Sequence, residues 1–294
     1  REKINADGGN PHRETLHFIR TFDGNKYFKD EDGSCFRAYR FVDNSKAYDT
    51  VDSAEVFGKS GKAFGRFQKY LSDFPAESLS EIIKNFHNTI WRYENEFIPA
   101  VQADKADRAV NCGEEIKFVM HRREDCKKLV ELIEKGELPL RVTHNDTKLN
   151  NVLFDSDSDD AICVIDLDTV MPGLALYDFG DSIRFGANSC AEDDDNYDKV
   201  ELMLDYFEAY AKGFLSEAGD ALNQCEIDNL AFSAKLMTFE CGMRFLTDYL
   251  NGDTYFKTAY PEHNLVRAKN QFALVADMER KMEQMQQIIK NITE

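Results

Sequence analysis

Between residues 140 and 170 the chain changes period, and this switch constrains the fold more than any other feature. A turn leads into the short apolar run Val152-Leu153-Phe154, an acidic loop follows, and the strand Ala161-Ile162-Cys163-Val164-Ile165 completes the island. On both sides the spacing is helical. From Ser53, Val56, Phe57, Phe64, Phe67, Tyr70, Leu71 and Phe74 recur mostly at intervals of three and four, until Pro75 stops the run. Helices are also predicted over about 79–97, with Ile82, Phe86, Ile90 and Phe97 on one face, and over about 114–135. From about 196 onward the pattern is helical again, in three or four segments broken near Gly219, Gly252 and Pro261. Residues 15–42 read as extended, with turns at Asp23-Gly24-Asn25 and Asp32-Gly33 between aromatic-rich runs, which predicts a small antiparallel meander. Strands segregated from helices make an α+β layout. An island flanked by helices is where loops present a chemical site.

Composition removes several classes. With 43% hydrophobic residues in 294, the chain can build a real core. The 54 acidic residues against 36 Lys and Arg give a net charge of −18, which argues against a nucleic-acid binder and against docking on an anionic membrane. Nucleotides are not excluded, because a bound Mg²⁺ brings carboxylates and phosphates together. No apolar stretch reaches the roughly 18 residues of a spanning helix, and residues 1–11 lack an apolar signal core. Seven scattered cysteines without a Cys-x-x-Cys point to reduced thiols in a cytoplasmic protein, not to a zinc site or disulfide framework.

The strongest constellation is Thr143-His144-Asn145-Asp146-Thr147-Lys148-Leu149-Asn150-Asn151-Val152-Leu153, followed by Val164-Ile165-Asp166-Leu167-Asp168. Phosphoryl transfer needs one carboxylate at the acceptor hydroxyl, and an Asn oxygen with a second carboxylate to hold Mg²⁺ against nucleotide phosphates. A loop followed by a β-hairpin sets Asp146, Asn151 and Asp166 on one edge. Taken singly, His144 and Asp146 could cap turns and Asp166 could end a strand; the order, spacing and apolar flanks together favour the chemical reading.

These motifs resemble the catalytic loop and metal segment of the aminoglycoside phosphotransferase and choline kinase superfamily, whose fold is protein-kinase-like. The run from Arg141 to Arg184, including Tyr177-Asp178-Phe179-Gly180-Asp181, resembles the N-acetylhexosamine 1-kinases more closely. The resemblance implies an ATP- and Mg²⁺-dependent kinase that phosphorylates the anomeric hydroxyl of an N-acetylhexosamine. It matches Asp146 to the catalytic Asp, Asn151 and Asp166 to the metal ligands, and His144 to a buttress of the loop. Lys148 would direct a cation toward the transferred phosphoryl or the acceptor; its plainer reading is a solvated lysine. Leu153 and Ile165 would floor the adenine, and Phe41 and Val42 would form the hinge beside it. On the sugar side Phe185, Arg244 and Tyr255 match by position. An aromatic face suits a pyranose ring and Arg donates to hydroxyls, whereas the plainer readings are core packing for Phe185 and a buried pair with Glu240 for Arg244.

The resemblance also implies a β-lobe ahead of the helices. Residues 1–44 would be the end of a truncated N-terminal β-lobe plus the hinge, and 45–294 a mostly helical C-terminal lobe carrying the catalytic β-hairpin and acceptor site. On that expectation the chain is cut short ahead of Arg1. An inactive fragment is one alternative. Another is an aminoglycoside or choline acceptor, although the lone Trp91 lies far from the motif and disfavours the aromatic cage that choline wants.

Four patterns are expected to be decoys. Asp178-Phe179-Gly180 spells a kinase metal motif, but Asp178 and Asp181 are expected to support the loop or cap a helix. Gly58-Lys59-Ser60-Gly61-Lys62 lacks the spacing of a P-loop. Asp155, Asp157, Asp159 and Asp166 mimic a calcium loop without its glycine. The run Glu192-Asp193-Asp194-Asp195 reads as a solvated loop and helix start.

Overall fold

The computed structural model describes residues 1–50 and 53–294. A short helix α1 (Glu2–Ala6) precedes four two-residue strands, β1 (Phe18–Ile19), β2 (Phe28–Lys29), β3 (Cys35–Phe36) and β4 (Ala38–Tyr39), and then β5 (Ser45–Lys46). Helix α2 (Ala54–Leu71) follows, capped by Ser53, whose hydroxyl accepts from Val56 N, and it ends before Pro75. Next come α3 (Thr89–Arg92), α4 (Ile98–Ala103), α5 (Gly113–Met120) and α6 (Arg123–Glu134). The island holds β6 (Arg141–Thr143), β7 (Val152–Asp155), β8 (Ala161–Val164) and β9 (Met171–Gly173). Five helices close the chain: α7 (Ala175–Gly186), α8 (Leu204–Ala218), α9 (Gln224–Asp228), α10 (Leu230–Asn251) and α11 (His263–Thr293).

The meander expected over 15–42 is not formed. β1 pairs with β4 (Phe18 opposite Tyr39) and β2 with β3 (Phe28 opposite Phe36), so one hairpin carries an inserted loop and the turn at 23–25 joins unpaired strands. Gly24 does sit at φ +80 there, but Thr21 and Asn25 bond each other and not a neighbouring strand. The helix expected over 79–97 starts only at Thr89. Asn85 takes a left-handed φ of 56, with its N–H bonded to Glu81, and Asn88 caps α3 by accepting from Trp91 N. Apolar spacing alone does not register either device. The helix then widens to a π turn at Tyr93–Phe97, ahead of Pro99, which lacks an N–H and crowds the carbonyl four residues back. The helix over 114–135 breaks at Arg122, which leaves the axis to pair with Glu279 of α11 at 2.8 and 3.0 Å.

The core lies among α2, α7, α8, α10 and α11. Phe179 meets Phe207, Tyr210 and Phe214 at ring separations of 6.0, 5.6 and 5.4 Å. The glycines of the P-loop decoy lie on α2 at helical spacing and let it approach α8. A Cβ on Gly61 would lie 2.5 Å from Tyr210 O, and one on Gly65 2.3 Å from Phe214 O. Strands β5, β7 and β8 form one antiparallel sheet, with Lys46 opposite Phe154 and Val152 opposite Val164. The calcium-loop decoy is cross-linked by cations: Arg13 pairs with Asp155 at 3.0 Å, and Lys46 and Tyr48 hold Asp159. The strands β6 and β9 pair beside it, Thr143 opposite Met171, and bracket the loop 144–148 between the two ladders. All seven cysteines are free thiols, and among the described residues no helix is long and apolar enough to cross a membrane.

Candidate active site

The loop between β6 and β7 is held from several sides. His144 is fully buried and packs edge-on against Phe64 and Phe67 of α2. Its Nδ1 lies 3.3 Å from Asp146 N and its Nε2 2.8 Å from Ile165 O. An amide N–H can only donate, so Nδ1 accepts and Nε2 carries the proton that it donates to the carbonyl. One ring thus fixes the Asp146 backbone and the approach to Asp166. Asn145, at a left-handed φ of 64, donates to Thr169 O, and Thr169 donates to His144 O at 2.6 Å.

From the other side, α7 supplies two carboxylates. Asp178, wholly buried, accepts His144 N at 2.9 Å, Asn145 N at 2.8 Å and Gln68 Nε2 at 2.9 Å. Burial pushes its carboxyl up, against the opposing pull of the three N–H donors. Asp181 accepts Thr147 N at 3.1 Å and pairs with Arg184 at 3.0 Å. Burial raises the Asp181 carboxyl, but Arg184, His87 and Lys148 outweigh it and hold the group below its usual range. Both acids support the loop, as expected for the decoy Asp178-Phe179-Gly180; neither caps a following helix, since both lie within α7.

Asp146 itself is 30% exposed. Lys148 Nζ lies 2.9 Å from its Oδ1, and Asn151 Nδ2 donates to its Oδ2 at 3.1 Å and to its carbonyl at 2.8 Å. Burial disfavours the Lys148 ammonium, yet Asp146 and Asp181 raise its pKa and keep it charged. Lys148 is therefore paired to Asp146 and not a solvated lysine. Asn151 spends its amide nitrogen on Asp146, and its Oδ1 has no hydrogen bond among the described residues. Asp166, exposed at a left-handed φ of 56, likewise has a carboxylate without a hydrogen bond or ion pair among the described residues. Two uncommitted hard oxygens fit a cation such as Mg²⁺, which takes few protein ligands and completes its shell with water and phosphate. Among the described residues no group of three or more His, Cys, Asp or Glu could hold a metal. Leu153 and Ile165 are half-buried on the hairpin, Val42 is buried, and Phe41 is 74% exposed.

Arg244 and Tyr255 come together away from this loop. The Arg244 guanidinium stands over Phe86, Phe256 and Tyr255 at 5.1, 5.5 and 5.8 Å. It lines a cleft of about 490 Å³ with Arg92, Lys84, Lys105 and Tyr255. Asp248, on α10, fixes the loop that carries the aromatics by accepting Thr254 N, Tyr255 N and Phe256 N, each at 2.9 Å. The plainer alternative, a pair of Arg244 with Glu240, is not formed, because Glu240 is taken by His87 and Thr89. Phe185, on α7, packs against the core. Glu192 is not a solvated acid either: it bridges Arg184 at 2.6 Å and Arg267 at 2.5 Å, and no α-helix starts there.

The family model described as "Phosphotransferase enzyme family" (APH) matches residues 18–213. The chain belongs to the APH phosphotransferase family. It is a phosphotransferase, and its fold is protein-kinase-like. Solved structures agree on the fold. A microcompartment-associated aminopropanol kinase superposes with a TM-score of 0.59 at 15% identity, covering 95% of this chain and 84% of that one. A spectinomycin phosphotransferase bound to ADP and spectinomycin gives 0.54 at 14%, covering 96% and 81%. A choline kinase from Cryptosporidium parvum Iowa II gives 0.53 at 14%, covering 97% and 79%.

In this phosphotransferase the residues picked from local spacing, His144, Asp146, Lys148 and Asn151, do form one connected group. Sequence reasoning missed Gln68, Thr169, His87 and Phe256, whose partners are distant in the chain and leave no spacing signal. For Phe256 the adjacent Tyr255 was the available cue.

Proposed function

We propose that this phosphotransferase moves the γ-phosphoryl of ATP to the anomeric hydroxyl of an N-acetylhexosamine, giving the sugar 1-phosphate. Asp146 orients the acceptor hydroxyl and takes its proton, and His144 and Asp178 keep the loop from yielding as charge develops. Lys148, beside Asp146, neutralises charge on the transferred group. Asn151 and Asp166 hold Mg²⁺, which when bound offsets the charge of the phosphates. Leu153 and Ile165 support the adenine, with Phe41 and Val42 at its edge. Arg244 and Tyr255 meet the sugar, with Phe185 of α7 as a further sugar-side residue. Residues 1–44 act as lobe and hinge, and 45–294 as the lobe that carries the chemistry.

The observation that carries the acceptor class is the lining of the Arg244 cleft. Among the described residues four cations, Lys84, Arg92, Lys105 and Arg244, face it with only Glu96 and Asp248 in opposition. Glu96 is paired with Arg92 at 2.6 Å, and Asp248 is spent on backbone N–H groups. Such a lining repels a cationic aminoglycoside or choline and suits an uncharged sugar with an aromatic-facing ring.

The test is an acceptor panel on the full-length protein with ATP and Mg²⁺, read by ADP release and by phosphorus NMR of the product. N-acetylglucosamine or N-acetylgalactosamine is expected to give a 1-phosphate, and turnover confined to aminoglycosides or choline overturns the sugar reading. Asp146→Asn is expected to lower turnover by about 10³-fold or more while ATP still binds.

A further inference from the structure

His87 has a partner for only one of its two ring nitrogens. The residue is 8% exposed, and its Nδ1 lies 2.8 Å from Glu240 Oε1. Glu240 is 1% exposed; its other oxygen accepts Thr89 Oγ1, and Arg92 Nε stands 4.0 Å away. Burial pushes the Glu240 carboxyl up, but His87, Arg92 and Thr89 together bring it below its usual value, so it is a carboxylate. A carboxylate only accepts, which places the shared proton on Nδ1. Nε2, on the opposite side of the ring, is buried with no hydrogen-bond partner among the described residues. Buried polar atoms are nearly always paired, so an orphan on a ring anchored this firmly needs an explanation.

The ring stands between Phe86 at 4.3 Å and Tyr177 at 5.1 Å. All three line a cleft of about 410 Å³ whose other walls include Asn145, Met171 and Gly173. Asn145 immediately precedes Asp146, so their Cα atoms are one trans peptide, about 3.8 Å, apart. Phe86 also carries the Arg244 guanidinium, and Ile83 lines both this cleft and the Arg244 cleft. His87 therefore shares a cleft with the loop proposed to act on the sugar and touches, through Phe86, the residues proposed to meet it. Tyr177 Oη also makes no hydrogen bond among the described residues.

We infer that His87 is an acceptor-binding residue: its Nε2 forms a hydrogen bond with a hydroxyl of the acceptor, in a subsite walled by Phe86, Tyr177 and Asn145. The inference rests on the reading of Asp146 as the group that faces the acceptor. Glu240 fixes Nδ1, so Nε2 is the ring nitrogen left to meet the acceptor, and a hydroxyl, which both donates and accepts, can pair with it.

Two measurements test this on the full-length protein. In Asp146→Asn, ¹⁵N NMR of the His87 ring, assigned with His87→Gln, is followed as N-acetylglucosamine is titrated. A shift of the Nε2 resonance at saturation is expected. Kinetically, His87→Leu is expected to raise the acceptor KM roughly tenfold with the KM for ATP unchanged, and His87→Gln to recover part of the loss. If N-acetylglucosamine is turned over but Nε2 does not move, the inference falls and the proposed function stands. If no hexosamine is turned over, the proposed function falls, and the same titration with choline and with kanamycin decides: movement with either keeps His87 as an acceptor ligand, and no movement overturns it. The NMR arm uses the wild-type histidine, so it survives any failure of His87→Leu to fold.

Discussion

Asp178 never approaches a reacting atom in the proposed mechanism, yet it constrains the loop more tightly than Asp146 does. It accepts three N–H groups with two oxygens in a site sealed from water. Asp178→Asn keeps the volume but turns a donor toward another donor, leaving one or more N–H groups unpaired. The expected cost is about 2–4 kcal/mol of stability by urea denaturation, with kcat falling more than the KM for ATP rises. Unchanged kcat in a folded variant refutes the positioning role. The site was legible where its spacing is local. Asp146 and Asn151 five apart, then an acid at the end of a strand, is a pattern that few other needs produce. Arg244 shows where legibility stopped. Glu240 lies one helical turn before it and looked like its partner, but His87, Thr89 and Arg92 claim that carboxylate from a distant segment. No sequence period encodes a competition of that kind.

At the scale of elements, the contact of α2 with α8 turns on positions without side chains. A Cβ at Gly213 would meet Gly58 O at 2.0 Å, and one at Gly65 would meet Phe214 O at 2.3 Å. In an exposed helix, Gly→Ala gains about 1 kcal/mol. Here backbone faces backbone and neither side can yield, so the clash wins. Gly65→Ala and Gly213→Ala are each expected to destabilise by about 1–3 kcal/mol in thermal or urea melts; a stabilising substitution refutes the packing. In sequence Gly58 and Gly61 were read only as a failed P-loop, and Gly65 and Gly213 drew no reading. The spacing of Gly58, Gly61 and Gly65 at three and four was visible, but a helix that buries glycine looks no different on paper from one that tolerates it. The hairpin over 18–39 failed for a related reason. Its strands are two residues each and exposed, so alternation had no buried face to reveal pairing. The long helices α2, α10 and α11 emerged readily, since each has a buried stripe longer than a few turns.

Across the whole molecule, the charge of −18 conceals a set of acids that are structural. Burial raises the carboxyls of Asp181, Glu192, Glu240 and Asp277, but neighbouring cations prevail: Arg184 for the first two, His87 for Glu240 and Lys281 for Asp277. Each is held below its ordinary 3.8 or 4.5. The unfolded chain therefore takes up protons first as pH falls. The stability these groups contribute is whole above about pH 5 and is lost as pH drops through the folded values. Asp178, raised by burial, runs the other way and offsets part of the loss. Melting temperatures are expected to be level from pH 7 to pH 5 and to fall steeply below about pH 4.5, less steeply in Glu192→Gln; a flat profile down to pH 3 refutes this. The suspension of the loop 144–148 from α7 has a further consequence, for descent, under the proposed function. Gly180 seats α7 against Ser233 of α10 so closely that the helix cannot shift without carrying the loop with it. Part of the lining around Arg244 and His87, by contrast, comes from the irregular segment 81–88 and the turn after α10. Substitutions there can accumulate while the chemistry is inherited intact. That division lets a lineage exchange one acceptor for another without having to reinvent the reaction.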